Sequence, residues 1–323
     1  MRLLSLRTAA AVILAFTTAA CGGDGSYTAM IPAPTPAPTP TPTPTPAPPP
    51  GPAIPAAVQT ASPVSPVAGT TKFSTLTQAT DFPLLMTAAK GGTGDGDSTT
   101  TSLGGTIRAN PDGTYTLTIN NTALGINNVT VPSQSGIWNL RGASNSPTLD
   151  YTRYGYWSRD DGVDGVFNLS AWTTGFITPP SSIPIQGTAA YAGQAAGLIN
   201  AAISPNTFAD FDSSFTGNVS LTANFGASTL SGSITNITAS SLYTALTGPV
   251  NDIGFTASIN NASNLFSGTT SVTGQLAGPY AFGPTAAGLI DGRFYGPHAE
   301  EVGAVFNLTE GTRRLIGSFG AKK

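Results

Sequence analysis

From Lys72 onward, apolar and polar residues alternate with a period of two, in short runs cut by Gly, Pro, Asn and Asp. That period puts successive side chains on opposite faces of a strand, so the runs predict half-buried β-strands and not helices. In "GGTIRANPDGTYTLTIN" a strand meets a Pro111-Asp112-Gly113 turn and returns with Tyr115, Leu117 and Ile119 alternating with Thr. "LDYTRYGYWSRDDG" reads as an aromatic strand ending in an Asp-Gly turn, and "DGVFNLSAWTTG" follows it. Lys72 to about Thr178 is therefore expected to form a mostly antiparallel β domain.

Pro179, Pro180 and Pro184 interrupt the pattern, which then restarts. In "SSFTGNVSLTANFGASTLSGSITNI", Val219, Leu221, Ala223 and Phe225 share one face. Phe225-Gly226-Ala227-Ser228 turns the chain, and Leu230, Gly232 and Ile234 return. Further strands fall near Ile253–Ile259, Leu265–Leu276, Gly288–Tyr295, Val302–Leu308 and Arg314–Phe319. About eight short strands in this stretch can close into a small cylinder whose interior side chains just fill, with no sticky edges left. Glycines inside the runs (Gly217, Gly232, Gly292, Gly303, Gly317) suit tight coiling. The fold class expected is all-β, an antiparallel sheet followed by a closed barrel, with a β-sandwich as the rival. Two short echoes, "AAGLI" at Ala195–Ile199 and Ala286–Ile290 and "VFNL" at Val166–Leu169 and Val305–Leu308, are too short to define a repeat.

The beginning of the chain follows a different pattern. Arg2 and Arg7 precede an apolar run from Ala9 to Phe16 and small residues before Cys21, the layout of a secretory signal peptide. Thr18-Ala19-Ala20-Cys21 is similar to a bacterial lipobox, which makes Cys21 the lipid attachment site; simple cleavage after Ala20 is the alternative. By the same resemblance, Gly22 in place of Asp points to the outer membrane. From Pro32 to about Ala57 alternating proline excludes helix and ladder and favours polyproline II. Roughly 25 such residues at about 3.1 Å each give a semi-rigid spacer of about 80 Å. The expected division is a signal peptide over 1–20, a lipidated linker over 21–66, a β-rich domain over 67–180 and a barrel over 181–323.

Composition narrows the function. A net charge of −3 and 9 % charged residues give no basic patch to displace counterions from phosphate, which argues against nucleic acid. A single Cys rules out a disulfide framework. Charge gathers only in "DGRFYGPHAEEVGAVFNLTEG", where Asp291, Arg293, His298, Glu300 and Glu301 crowd together. Zinc wants three or four ligands with His or Cys among them, and His298 is the only histidine. Asp95 and Asp97, and Asp160, Asp161 and Asp164, lie in Asp-Gly turns without full calcium-loop spacing. No nucleophile elbow, P-loop or His-centred triad is present, so no enzyme is expected. On alternation, Asp291, Arg293 and Tyr295 take one face of a strand, Gly296-Pro297 ends it, and Glu300 and Glu301 begin the return, where Arg293 or Arg313 would lie opposite. Aromatic residues are the better candidates for binding: Tyr154 and Tyr156 on one strand face, Tyr243 in a long loop, and Tyr280 and Phe282 between Gly-Pro turns. Core packing is the plainer reading for the strand aromatics, whereas for Tyr243, Tyr280 and Phe282 rim packing and ligand contact stand level.

Three ordered motifs carry a family resemblance. Gly292-x-Phe294-Tyr295-Gly296-Pro297-x-Ala299-x-Glu301-x-Gly303-x-x-Phe306 resembles the terminal hairpin of the transferrin-binding protein B β-barrel family. "YTRYGYW" (Tyr151–Trp157) and "IPIQGTAAYAGQAAG" (Ile183–Gly197) resemble two upstream segments of the same family. The resemblance implies a lobe made of a β "handle" and an eight-stranded barrel, tethered to the outer membrane by lipid, with room here for one lobe where transferrin receptors have two. It further implies a monomeric surface protein that binds a protein or solute, with a TonB-dependent transporter as partner in iron or nutrient uptake. Two other functions stand beside it: a haem-binding carrier, with Tyr243, Tyr280 or His298 as axial ligand, and a structural or protective surface protein without a small ligand.

Overall fold

The computed structural model describes residues 72–91, 101–109, 115–121, 126–132, 138–142, 149–160, 167–200, 213–242, 244–274, 276–311 and 313–323. The expected signal peptide, lipid site Cys21, the whole linker over 21–66, Asp95, Asp97, the Pro111-Asp112-Gly113 turn, Asp161, Asp164 and Tyr243 lie outside them.

Seven strands form the first sheet: β1 (Thr80–Gly91), β2 (Thr101–Ala109), β3 (Tyr115–Asn121), β4 (Ile126–Pro132), β5 (Trp138–Gly142), β6 (Thr152–Asp160) and β7 (Phe167–Gly175). Their order is β4-β3-β2-β1-β7-β6-β5, all antiparallel. The sheet curls until its two edge strands, β4 and β5, come back toward each other. Phe82, Leu84, Met86, Ile107 and Trp172 are buried in one cluster, sealed by Phe73 and Phe176. The rings of Phe73, Phe82 and Phe176 meet at 4.9 to 5.2 Å.

The barrel follows: β8 (Thr188–Asn200), β9 (Ser213–Asn224), β10 (Thr229–Ser241), β11 (Thr247–Pro249), β12 (Asp252–Asn260), β13 (Leu265–Thr273), β14 (Ala287–Tyr295), β15 (Glu301–Glu310) and β16 (Arg313–Lys322). β16 pairs with β8, β8 with β9, and β9 with β10, which closes an eight-stranded antiparallel ring and leaves β11 as a short flap on β10. The closing β9–β10 ladder decides between barrel and sandwich. β13 stops at Thr273, short of Leu276, because Gly274 turns away with a φ of +82°.

Inward positions form one apolar core that includes Tyr191, Phe215, Leu221, Ile234, Phe255, Phe266, Phe294, Phe306 and Phe319. Outward positions on β9, β10, β12 and β13 are polar, as in the cross-strand row Thr222, Ser231, Thr256 and Thr269. A barrel that crosses a membrane has the opposite polarity, with an apolar outside. This one is built for water.

The two ends of the barrel differ. One is closed by four-residue turns at 225–228, 261–264 and 296–299, each ending in a non-glycine residue at positive φ: Ser228 (54°), Asn264 (53°) and Ala299 (58°). The other end carries the long β8–β9, β10–β12 and β13–β14 connections. The handle lies on the flank formed by β8, β16 and β15, on which β6, β7 and β1 pack.

Candidate functional site

The charged stretch at 291–311 is a joint between the two sheets. Glu301 opens β15 with its side chain outward, yet it is only 3 % exposed. Its carboxylate accepts the backbone N–H groups of Asp150 (2.6 Å), Tyr151 (3.0 Å) and Thr152 (2.8 Å), where the handle strand β6 begins. Burial pushes its carboxyl above the ordinary carboxylate value, and the backbone donors offset part of that rise. The expected cross-strand pairing of Glu300 and Glu301 with Arg293 or Arg313 is not what forms. Glu300 accepts the N–H of His298 at 2.8 Å, and Arg313 donates to the carbonyl of Ala281. His298 itself is exposed on the turn.

Asp291, Arg293 and Tyr295 do share the outward face of β14, but that face is covered, and they are 7 %, 9 % and 1 % exposed. Asp291 Oδ1 and Arg293 Nε have no hydrogen-bond partner. Burial raises the Asp291 carboxyl to about 6 and lowers the Arg293 guanidinium.

The family-motif residues sort by face. Phe294 and Phe306 point into the barrel core, and a side chain at Gly292 would collide with the Phe266 ring. Gly296 takes a φ of +88°, and Pro297 and Ala299 are buried in the turn. Gly303 faces outward, where a Cβ would strike Thr173 Oγ1 and Thr152 of the handle; Gly320 is overlaid by Tyr154 and Leu149 in the same way. Glycine at 303 thus serves sheet-on-barrel approach, where strand coiling was the expected reason. Asn264 adds a lock, donating to the carbonyls of Thr178 (2.6 Å) and Phe294 (2.8 Å).

Of the aromatic candidates, Tyr154 is buried between the handle and the barrel, against Gly320, and half-buried Tyr156 shares its face. Desolvation raises the Tyr154 phenol. Tyr280 and Phe282 turn into the core at the loop-bearing end. Their loop is pinned: Tyr280 donates to the Leu246 carbonyl (3.3 Å), Phe282 N–H to Asn251 Oδ1 (2.7 Å) and Gly283 N–H to Glu310 (2.7 Å). Among the described residues the exposed large apolar side chains are Ile185 (73 %) just before β8, Leu289 (37 %) on β14, and Leu242 (50 %) and Leu276 (37 %) in the connections at this end, none of which sequence reasoning singled out. Of the haem-ligand candidates, Tyr280 and His298 sit at opposite ends of β14 and do not converge. Among the described residues no group of three or more His, Cys, Asp or Glu side chains is placed to hold a metal.

A filled barrel, polar outside, that carries a curled sheet on one flank defines the protein class: a handle-and-barrel lobe. Residues 183–323 match the family of C-lobe and N-lobe beta barrels of Tf-binding protein B. The barrel of this chain is thus similar to the transferrin-binding protein B barrels over those residues. Similar solved structures include a mutant Transferrin Binding Protein B from Haemophilus parasuis Hp5, at 18 % identity and TM-score 0.44, covering 74 % of this chain and 45 % of that one. The N-lobe domain of Lactoferrin Binding Protein B from Moraxella bovis aligns at 11 % identity and TM-score 0.37, covering 75 % and 98 %. A surface lipoprotein aligns at 14 % identity and TM-score 0.38, covering 74 % and 98 %. The chain spans less than half the length of the first two structures, both transferrin-binding proteins B. No curated protein matched.

Proposed function

We propose that this protein is a lipid-anchored surface receptor of the outer membrane that captures a protein or solute ligand with the loop-bearing end of its barrel, in partnership with a TonB-dependent transporter for iron or nutrient uptake. The observation that carries this reading is the polarity of the lobe. Lys72, the first described residue, is bound to Asp150 through its ammonium group at 2.9 Å, and Asp150 N–H is held by Glu301 beside the tight turns. Lys72, where the described residues begin, thus lies at the tight-turn end, which supports a tether on that side. The β10–β12 and β13–β14 connections, with exposed Leu242 and Leu276, lie at the other. The barrel interior is filled by its own side chains, so recognition falls to the outer surface.

The test is a pull-down with the full chain as bait, using iron-loaded transferrin, lactoferrin and medium from iron-starved or iron-replete cultures, with haem titrated in parallel. Capture of a protein by the wild-type chain, weakened at least tenfold by Leu242→Ser with Leu276→Ser, supports the proposal. Capture unaffected by that double substitution counts against the loop-bearing end. A haem-induced Soret shift without protein capture would favour the carrier reading.

A further inference from the structure

We infer that the partner of the loop-bearing end is a protein presenting an uncharged, apolar patch, and not an anionic iron chelate such as haem. This rests on the receptor reading above and decides between its protein and solute alternatives. The sequence has no Lys, Arg or His between Arg159 and Arg293, so the β10–β12 and β13–β14 connections carry no cation. Their exposed positions include Leu242, Ala245, Pro249, Leu276, Ala277 and Pro279.

The described charges that border this end are committed within the fold. Asp252 accepts the Asn236 N–H at 3.1 Å, and Glu310 accepts the Gly283 N–H and the Thr285 hydroxyl. Arg313 donates to the Ala281 carbonyl, and Arg314 is engaged as well. Asp210 and Asp212, which the sequence adds in the β8–β9 connection, are acidic and repel an anion. Backbone donors are spent too: Ala281 N–H goes to Gly278, Phe282 N–H to Asn251 and Ala286 N–H to Gly283. An anion placed here would lose its water and gain no compensating charge.

The two connections behave as one cap. Tyr280 donates to the Leu246 carbonyl at 3.3 Å and packs its ring on Gly248, while Asn251 Nδ2 donates to the Gly274 carbonyl at 3.4 Å. A surface tied in this way gives up little conformational freedom on binding. Tyr280 and Phe282 fill the barrel mouth behind it, which leaves an outer surface where a small ligand needs a recess. Apolar contact over a broad area is what such a surface offers, and a protein supplies it.

The probe is a library of random peptides displayed on phage and selected on the full chain, with haem and ferric citrate titrated in parallel at low salt. Enriched peptides are expected to lack charge and to bind within about twofold as well in about 0.5 M NaCl as in about 0.05 M. Leu242→Ser with Leu276→Ser is expected to weaken them at least about tenfold. Both side chains are exposed, so urea unfolding of the variant should match the parent, and a lost signal then reports the surface. Enrichment of acidic or basic peptides, or none that the double substitution removes, overturns the inference, as does saturable haem or ferric citrate binding that this substitution abolishes. A protein caught in the pull-down through another surface defeats the receptor reading of this end. One caught through Leu242 and Leu276 but released by salt defeats only the uncharged partner.

Discussion

Glu301 accepts the N–H of Tyr151 at 3.0 Å across 150 positions of chain. One carboxylate thereby ties the second strand of the terminal hairpin to the handle, with further bonds to Asp150 and Thr152. Removing it leaves buried N–H donors without partners, and each charge-assisted bond contributes about 1.5–3 kcal/mol. Glu301→Ala is expected to lower unfolding free energy by about 3 kcal/mol or more, and Glu301→Gln by about half that, since the amide keeps one acceptor. Urea unfolding measures both; an alanine variant within about 0.5 kcal/mol of wild type would contradict the latch.

Gly303 admits the handle because it has no Cβ to meet Thr173 Oγ1. Gly303→Ala is expected to cost about 1–3 kcal/mol, the range for an overpacked interface. Thr173→Ala in the same chain should recover part of that loss, because the two sites share one contact. A double-mutant cycle with no coupling would show that the glycine is there for another reason.

The lid over the loop-bearing end hangs on few bonds. Asn251→Ala removes the acceptor of the Phe282 N–H, worth about 1 kcal/mol of local stability. Hydrogen exchange in residues 276–286 should speed up several-fold while the tight turns at the opposite end are unchanged. Equal exchange in both chains would mean that the lid is held by its buried rings alone.

Acid should stabilise the joint. The Asp291 carboxyl sits at about 6 in the fold against 3.8 ordinarily, so the fold favours its protonated form. That contribution is complete below about pH 4 and is lost as pH rises through about 6, amounting to about 3 kcal/mol. At pH 7 Asp291→Asn should therefore unfold at higher urea than wild type, with the gap closing near pH 4. A variant that is less stable at pH 7 would reverse the sign and refute it.

How far the sequence carried is clear from particular residues. The hairpin from Ser213 to Ser241 was legible because its alternation is strict: Val219, Leu221 and Ala223 face in, while Ser220 and Thr222 meet water. Closure was legible from strand number, and the likeness of the barrel to those of transferrin-binding protein B from the motif around Phe294 and Phe306. The covered flank was not read, although a signal existed. Val302 to Phe306 and Leu315 to Phe319 are buried residue after residue, the mark of a strand covered on both faces. Alternation alone placed Asp291 and Arg293 outward but could not show that outward meant buried. The partners of Glu301 are backbone groups far away in sequence, and no side-chain pattern announces a main-chain donor. Tyr280 and Phe282 sat in a glycine-proline loop, yet a loop can fold back into a barrel mouth when its own N–H groups find acceptors, as here in Asn251 and Glu310.

The most direct measurement is a hydrogen-exchange footprint of the full chain with and without the protein it captures. Protection is expected in residues 242–250 and 276–286, at the end away from Lys72. Protection confined to the tight turns at 225–228, 261–264 and 296–299, or to the polar wall of β9 to β13, would contradict capture by the loop-bearing end.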